Sequence, residues 1–196
     1  MGCKCRERRP RRRVAASRPR PLAPSGANQV WAYNFLFDAC AHGQQLKCLT
    51  VIDEYTRECL AIDVAGSIRS ARVIEMLSKL VSVHAAPKYL RSDNGPEFIS
   101  RAILSWVTEA KIDTAYIDPG KLWQNGSNES FNGKFRDECL GMQWFKNRID
   151  ANILIEEFRR QFNEIRPHSS LGQLTPVEFK QRLLTTDPDR AISKDV

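Results

Sequence analysis

The sequence predicts an α/β fold with a mixed five-stranded sheet flanked by helices, on three observations. An aromatic, β-prone stretch from Val30 to Phe37 is followed by two further strand-like runs joined through short polar connections. Beyond residue 70 the apolar spacing lengthens from two residues to three and four. Two more short strand-like runs then alternate with helical segments, so the later strands reach the sheet through crossovers.

In order, Val30 to Phe37 forms the first strand, and Ala41-His42-Gly43-Gln44 breaks it. Leu46 to Ile52 and Cys59 to Val64 give the second and third, separated by the polar block Asp53-Glu54-Tyr55-Thr56-Arg57. Short connections make these three an antiparallel meander. If His42-Gly43 is a two-residue turn, partner numbers across the first hairpin sum to 85, which sets Val51 opposite Asn34. Ser70 is a capping residue for a helix with Val73, Ile74, Leu77, Leu80 and Val81 on one face, ending before Pro87. Tyr89-Leu90-Arg91 is a short strand. A second helix fits Glu97 to Ala110, burying Phe98, Ile103, Leu104, Trp106 and Val107, and Thr114 to Ile117 is the fifth strand. A helix from about Ser127 carries Glu129, Phe131 and Phe135. An amphipathic helix follows around Ile149 to Ile165. Thr175-Pro176-Val177-Glu178 then reads as a capping box with proline at the first helical position, opening a helix that runs to about Leu184.

Charge divides the chain unevenly. The formal charge is +7, yet residues 1–20 hold nine Lys or Arg against Glu7 alone, leaving 21 basic and 22 acidic residues in the remainder. Residues 1–27 are rich in Arg, Pro, Ser and Ala, a composition that propagates neither helix nor strand, and read as a disordered basic arm. Arg11, Arg12 and Arg13 in it are candidates for phosphate-backbone attraction; the arm is equally readable as a remnant of a longer upstream region. Residues 28–185 form the expected core and 186–196 a flexible tail. Six scattered cysteines lack zinc-finger spacing and read as free thiols of a reducing compartment. There is no apolar run long enough for a bilayer and no signal-peptide core, so a soluble protein of the bacterial cytoplasm, with no membrane partner, is expected.

The residues that could carry chemistry are two acids in distinctive settings. Asp93 lies in Arg91-Ser92-Asp93-Asn94-Gly95-Pro96-Glu97-Phe98 and Glu129 in Asn128-Glu129-Ser130-Phe131-Asn132-Gly133-Lys134, with 35 residues between the acids. Alone, the first is an ordinary turn and the second a first-turn glutamate favoured by the helix end. Together they resemble the second and third members of the Asp, Asp, 35, Glu metal site of retroviral integrases and insertion-sequence transposases. Asn28-Gln29-Val30-Trp31, Leu49 to Leu60 and Asn163-Glu164-Ile165-Arg166-Pro167-His168-Ser169-Ser170-Leu171 resemble blocks of the transposases whose integrase core is encoded in a second reading frame. The resemblance covers roughly residues 28–185 and implies a ribonuclease H-like fold.

It also implies a function: DNA transposition and integration by metal-dependent strand cleavage and transfer, with two Mg²⁺ or Mn²⁺ ions held by Asp93 and Glu129 as metal ligands. The first ligand position of the pattern, Trp-x-x-Asp-Phe, is here Trp31-Ala32-Tyr33-Asn34-Phe35. Asn34 therefore stands where the missing first aspartate belongs, and impairment of this copy is expected. Asp38 shares the face of Asn34 but lies more than ~13 Å along the strand. Asp53, in the register above, falls on that face diagonally at ~7–8 Å and is the better candidate, but rescue by it is not expected, because Asp53-Glu54-Tyr55 resembles the family's block beside an intact first aspartate. Lys121, Lys134 and Arg136 are candidate DNA contacts or ordinary solvated residues, and Arg136, about two turns on, shares the Glu129 face. His168 reads as a hydrogen-bonded structural residue. Implied partners are DNA, as transposon ends and target, an upstream-frame helix-turn-helix protein or fusion, and further copies of the chain. The alternative reading is a catalytically inactive DNA-binding or assembly partner of an active transposase.

Overall fold

The computed structural model describes residues 23–92, 100–116 and 126–186. The arm residues 1–22, Asp93, Lys121 and residues 187–196 lie outside the described residues. Strands β1 (Val30–Ala39), β2 (Gln45–Asp53), β3 (Cys59–Ala65), β4 (Tyr89–Ser92) and β5 (Asp113–Tyr116) form one sheet in the order β3-β2-β1-β4-β5. The first three are antiparallel, whereas β4 and β5 run parallel to β1, as a meander followed by helical crossovers requires. The helices are α1 (Ser70–His84), α2 (Arg101–Glu109), α3 (Gly126–Phe135), α4 (Arg148–Glu164) and α5 (Pro176–Thr186).

Strand alternation sorts the sheet into two cores. Trp31, Tyr33, Leu49 and Val51 face Val73, Leu77 and Leu80 of α1 and Ile103 and Val107 of α2. Ala32, Leu36, Cys48 and Ile52 face Phe131 and Phe135 of α3 and Ile155 and Phe162 of α4. Asn34 belongs to this second set by parity.

The expected hairpin register is wrong by one residue. The connection is three residues long: Cys40 N–H donates to Gln44 O and Gly43 N–H to Cys40 O, both at 2.8 Å, with Gly43 at φ +75°. A glycine in the left-handed region ends a three-residue hairpin loop without the clash a side chain would bring. Partner numbers consequently sum to 84: Asn34 faces Thr50, Tyr33 faces Val51 and Trp31 faces Asp53. Because side chains alternate faces, the one-residue slip moves Asp53 off the Asn34 face and removes it as a substitute ligand.

Other expectations are corrected in detail. Ser70 is the first helical residue of α1, and Arg69 occupies the cap position with no side-chain hydrogen bond. Helix α2 begins at Arg101, where the Ser100 side chain accepts from Ile103 N–H; Phe98 lies outside the described residues. Leu104, expected inside, is exposed, and Trp106 is half-buried. A π-helical turn, Arg136–Leu140, continues α3 and was not foreseen. The capping box before α5 has both reciprocal bonds, Thr175 N–H to Glu178 Oε2 at 2.8 Å and Glu178 N–H to Thr175 Oγ1 at 3.2 Å. Among the described residues no helix is long and apolar enough to cross a membrane, and Cys40, Cys48, Cys59 and Cys139 are free and buried. Burial pushes the Cys48 and Cys139 thiols up to about 12, aided by Asp38, so both are held as inert thiols.

Candidate active site

Helix α3 presents Glu129, although Gly126, Asn128, Asn132 and Gly133 make it a poor helix former. Its stability is tertiary. Phe131 packs edge-on to Phe162 at 4.8 Å and Phe135 lies 5.3 Å from Phe158, fastening α3 to α4 through a cluster of four rings. Each such pair adds about 0.5–1.5 kcal/mol beyond the area it buries. With Asn128, Phe131, Asn132 and Phe135 turned inward, Glu129 and Arg136 fall on one exposed flank of the helix. Lys134, about 140° away around the axis from Glu129, falls on the other.

Asn34 lies beneath α3. The Thr50 hydroxyl, opposite it on β2, is 3.4 Å from Asn34 O and 3.3 Å from Asn132 Oδ1, three residues beyond Glu129. The Asn34 side chain spends its own carbonyl oxygen locally, accepting from Phe35 N–H at 2.8 Å. In the parallel ladder Tyr33 pairs with Ser92, so the residue before Asn34 abuts the residue before Asp93. Arg91, paired with Ala32, rises on the Asn34 face and grips both oxygens of Glu54 at 2.6 and 2.8 Å. Burial pushes the Glu54 carboxyl up, and the Arg91 guanidinium opposes it. Asp53 is committed elsewhere: it accepts from Asn28, Tyr55 and Thr56 N–H at 2.6, 2.8 and 2.9 Å, tying the β2–β3 turn to the start of β1. Burial raises its pKa against those three donors.

Among the described residues, no group of three His, Cys, Asp or Glu is placed to hold a metal ion. The donors described are one carboxylate on α3 and one already engaged amide on β1, with Asp93 outside the described residues.

Sequence reading missed Asn128. It is fully buried one residue before Glu129, and neither Nδ2 nor Oδ1 has a hydrogen-bond partner. An unpaired buried amide costs about 1–3 kcal/mol. Asn128→Leu, similar in shape and apolar, is expected to raise the melting temperature by about 2–12 °C, at 2–4 °C per kcal/mol for a chain of this size. An unchanged or lower melting temperature would show that the amide is satisfied in solution.

His168 is buried, with Nε2 3.3 Å from Phe162 O and its ring 4.6 Å from the Phe162 ring. Burial, followed by the charges of Lys134, Arg166 and Arg57, holds its pKa below 6.5, and only the Phe162 carbonyl pulls it upward. The unfolded chain therefore binds a proton that the folded chain resists. Stability is intact above neutrality and falls as pH drops through 6.5, by at most about 1.4 kcal/mol per pH unit for this group. Burial shifts His84 the same way, so His168→Gln is expected to flatten, not abolish, the difference between urea melts at pH near 7 and near 5.5.

An integrase core domain model matches residues 24–121, and a second integrase core domain model matches residues 110–176. The chain belongs to the integrase core family. This integrase core is 42% identical over 96% of its length to the 39.2 kDa protein of insertion element IS476 from Xanthomonas euvesicatoria. It is 41% identical over 91% of its length to the 31.7 kDa protein of insertion element IS407 from Burkholderia multivorans. It spans 55% and 64% of those relatives. The catalytic core of HTLV-2 integrase, solved in complex with magnesium, superposes with a TM-score of 0.58 at 16% identity, covering 82% of this chain and 99% of that one. The BIV integrase core gives 0.60 at 15%, covering 83% and 99%. The sheet order and its flanking helices are thus those of a ribonuclease H-like, integrase-type core.

Proposed function

We propose that this integrase core acts on DNA in the transposition of an insertion element, and that Asn34 leaves it strongly impaired in metal-dependent strand cleavage and transfer. The observation carrying the reading is the junction of β1, β4 and α3. Asn34 follows the last β1–β4 pair, Tyr33 with Ser92, on the neighbouring parallel strands, and the Thr50 hydroxyl lies between Asn34 and the helix that bears Glu129. Asp93 follows Ser92 directly in the chain, and the family resemblance, which calls for three acids, would take it together with Glu129 and Asn34 as two acids and one amide. Magnesium or manganese, when bound, would polarise the scissile phosphodiester; Glu129 and Asp93 would hold it, and Asn34 adds no charge to that set. Relatives drawn from insertion elements supply DNA as the substrate class. The basic arm, Arg11, Arg12 and Arg13 included, with Lys121 and Arg136, would add phosphate contacts. Further copies of the chain, or a partner carrying end recognition, would complete the assembly in the cell interior.

The test is cleavage of end-containing duplex with manganese, comparing the native chain with Asn34→Asp. Equal activity refutes impairment. Duplex binding by a native chain that remains inert, with no gain in the variant, would favour an inactive assembly partner.

A further inference from the structure

Three cationic side chains from three separate elements, Lys134, Arg166 and Arg57, lie close enough to act on one another's charge, with Lys134 on the flank of α3 turned away from Glu129. Lys134 Nζ sits 5.9 Å from the Phe162 ring. Arg166, just beyond α4, pairs with Glu138, four residues after Lys134 on the same flank. Arg57 stands in the β2–β3 turn with φ +61°, and that turn is pinned to the same corner. Asn163 of α4 bonds Cys59 N and O at 2.8 and 2.9 Å, Tyr55 packs 5.8 Å from Phe179, and Glu58 pairs with Lys180 at 2.7 Å.

The corner is short of negative charge. Lys134 and Arg57 are half-buried, and neither forms an ion pair among the described residues. Glu54, which Arg57 influences, is already held on both oxygens by Arg91. Burial lowers the Lys134 ammonium below its ordinary pKa, and the charges of Arg166 and Arg57 push it the same way. Three cations facing one carboxylate, in a core otherwise close to neutral, are unfavourable alone and favourable around an anion. Two guanidinium groups and an ammonium suit phosphate oxygens, the guanidinium forks by paired bonds and the lysine as a point charge.

We propose that Arg57, Lys134 and Arg166 form a phosphate-binding corner that grips the backbone of duplex DNA away from the reacting phosphodiester. The proposal rests on the DNA reading above. Its position, about 140° around α3 from Glu129, makes it a register contact: it holds the duplex without touching the site of reaction.

The test is anisotropy of a short labelled random-sequence duplex with the full chain across a salt series. Arg57→Gln and Lys134→Gln are each expected to lower the slope of log affinity against log salt by about 1 and to weaken binding about eightfold at ~0.1 M salt, for every sequence alike. Lys134→Arg, with a melting temperature like the native one, is expected to keep the native slope and separates charge from folding. A native chain that binds while both glutamine variants keep its slope overturns the corner and leaves the DNA reading standing. A native chain that binds no duplex at low salt overturns both. A slope change confined to an RNA duplex overturns DNA as the occupant.

Discussion

Asn34→Asp is expected to nick supercoiled plasmid with manganese about 10²–10³-fold faster than the native chain, the scale on which a well-placed electrostatic group acts at a reaction centre. The native amide is neutral, and its oxygen already accepts from Phe35 N–H at 2.8 Å. A carboxylate in the same place brings a second oxygen and a full negative charge to a half-buried position below α3, where screening by water is weak. Plasmid nicking needs no recognition of element ends, so the comparison isolates the charge at residue 34. Two controls accompany it. Glu129→Gln in the Asn34→Asp background is expected to cancel the gain, and manganese titrated calorimetrically is expected to bind more tightly to Asn34→Asp than to the native chain. Identical nicking rates and identical manganese affinities for the two chains would overturn the assignment of residue 34.

Arg91→Met is expected to destabilise the fold by about 3–5 kcal/mol, the usual penalty for removing one partner of a buried ion pair. The side chains of Arg91 and Glu54 are 6% and 3% exposed, and one guanidinium nitrogen reaches both carboxylate oxygens. Removing the arginine strands the Glu54 carboxylate in a place that already favours its neutral form. At 2–4 °C per kcal/mol the melting temperature drops by about 6–20 °C. Adding Glu54→Leu to Arg91→Met is expected to recover much of that loss, since two apolar groups leave no buried charge behind. A loss under about 1 kcal/mol in denaturant melts of the single variant would show that water reaches the pair.

The five strands were legible because β1 to β3 are β-prone runs set between polar breaks and β4 and β5 sit between helical periods. The register of the first hairpin was not. His42-Gly43 reads as a two-residue turn, and only the left-handed Gly43 with the Gly43 N–H to Cys40 O bond shows a third residue in the loop. That single residue decided the fate of Asp53, whose carboxylate turned out to fasten Asn28, Tyr55 and Thr56. Spacing and flanks singled out Glu129 and Asn34 in the sequence because a motif is local, and the Asn34→Asp comparison above is what tests their role. Arg57, Lys134 and Arg166 were not legible as a group, being scattered over more than a hundred residues and gathered only where α4 meets the β2–β3 turn. The π-helical turn at Arg136–Leu140 left no periodic trace, since five residues fall below the span in which one period can be told from another.

The four-ring cluster has a consequence for how Glu129 is kept in place. A glycine- and asparagine-rich segment such as α3 has little tendency to wind by itself, so the orientation of Glu129 is borrowed from Phe158 and Phe162 one helix downstream. The minimal working unit therefore extends through α4, and any shortened version ending before it would forfeit the anchor of its own acid while keeping every residue of the acidic motif.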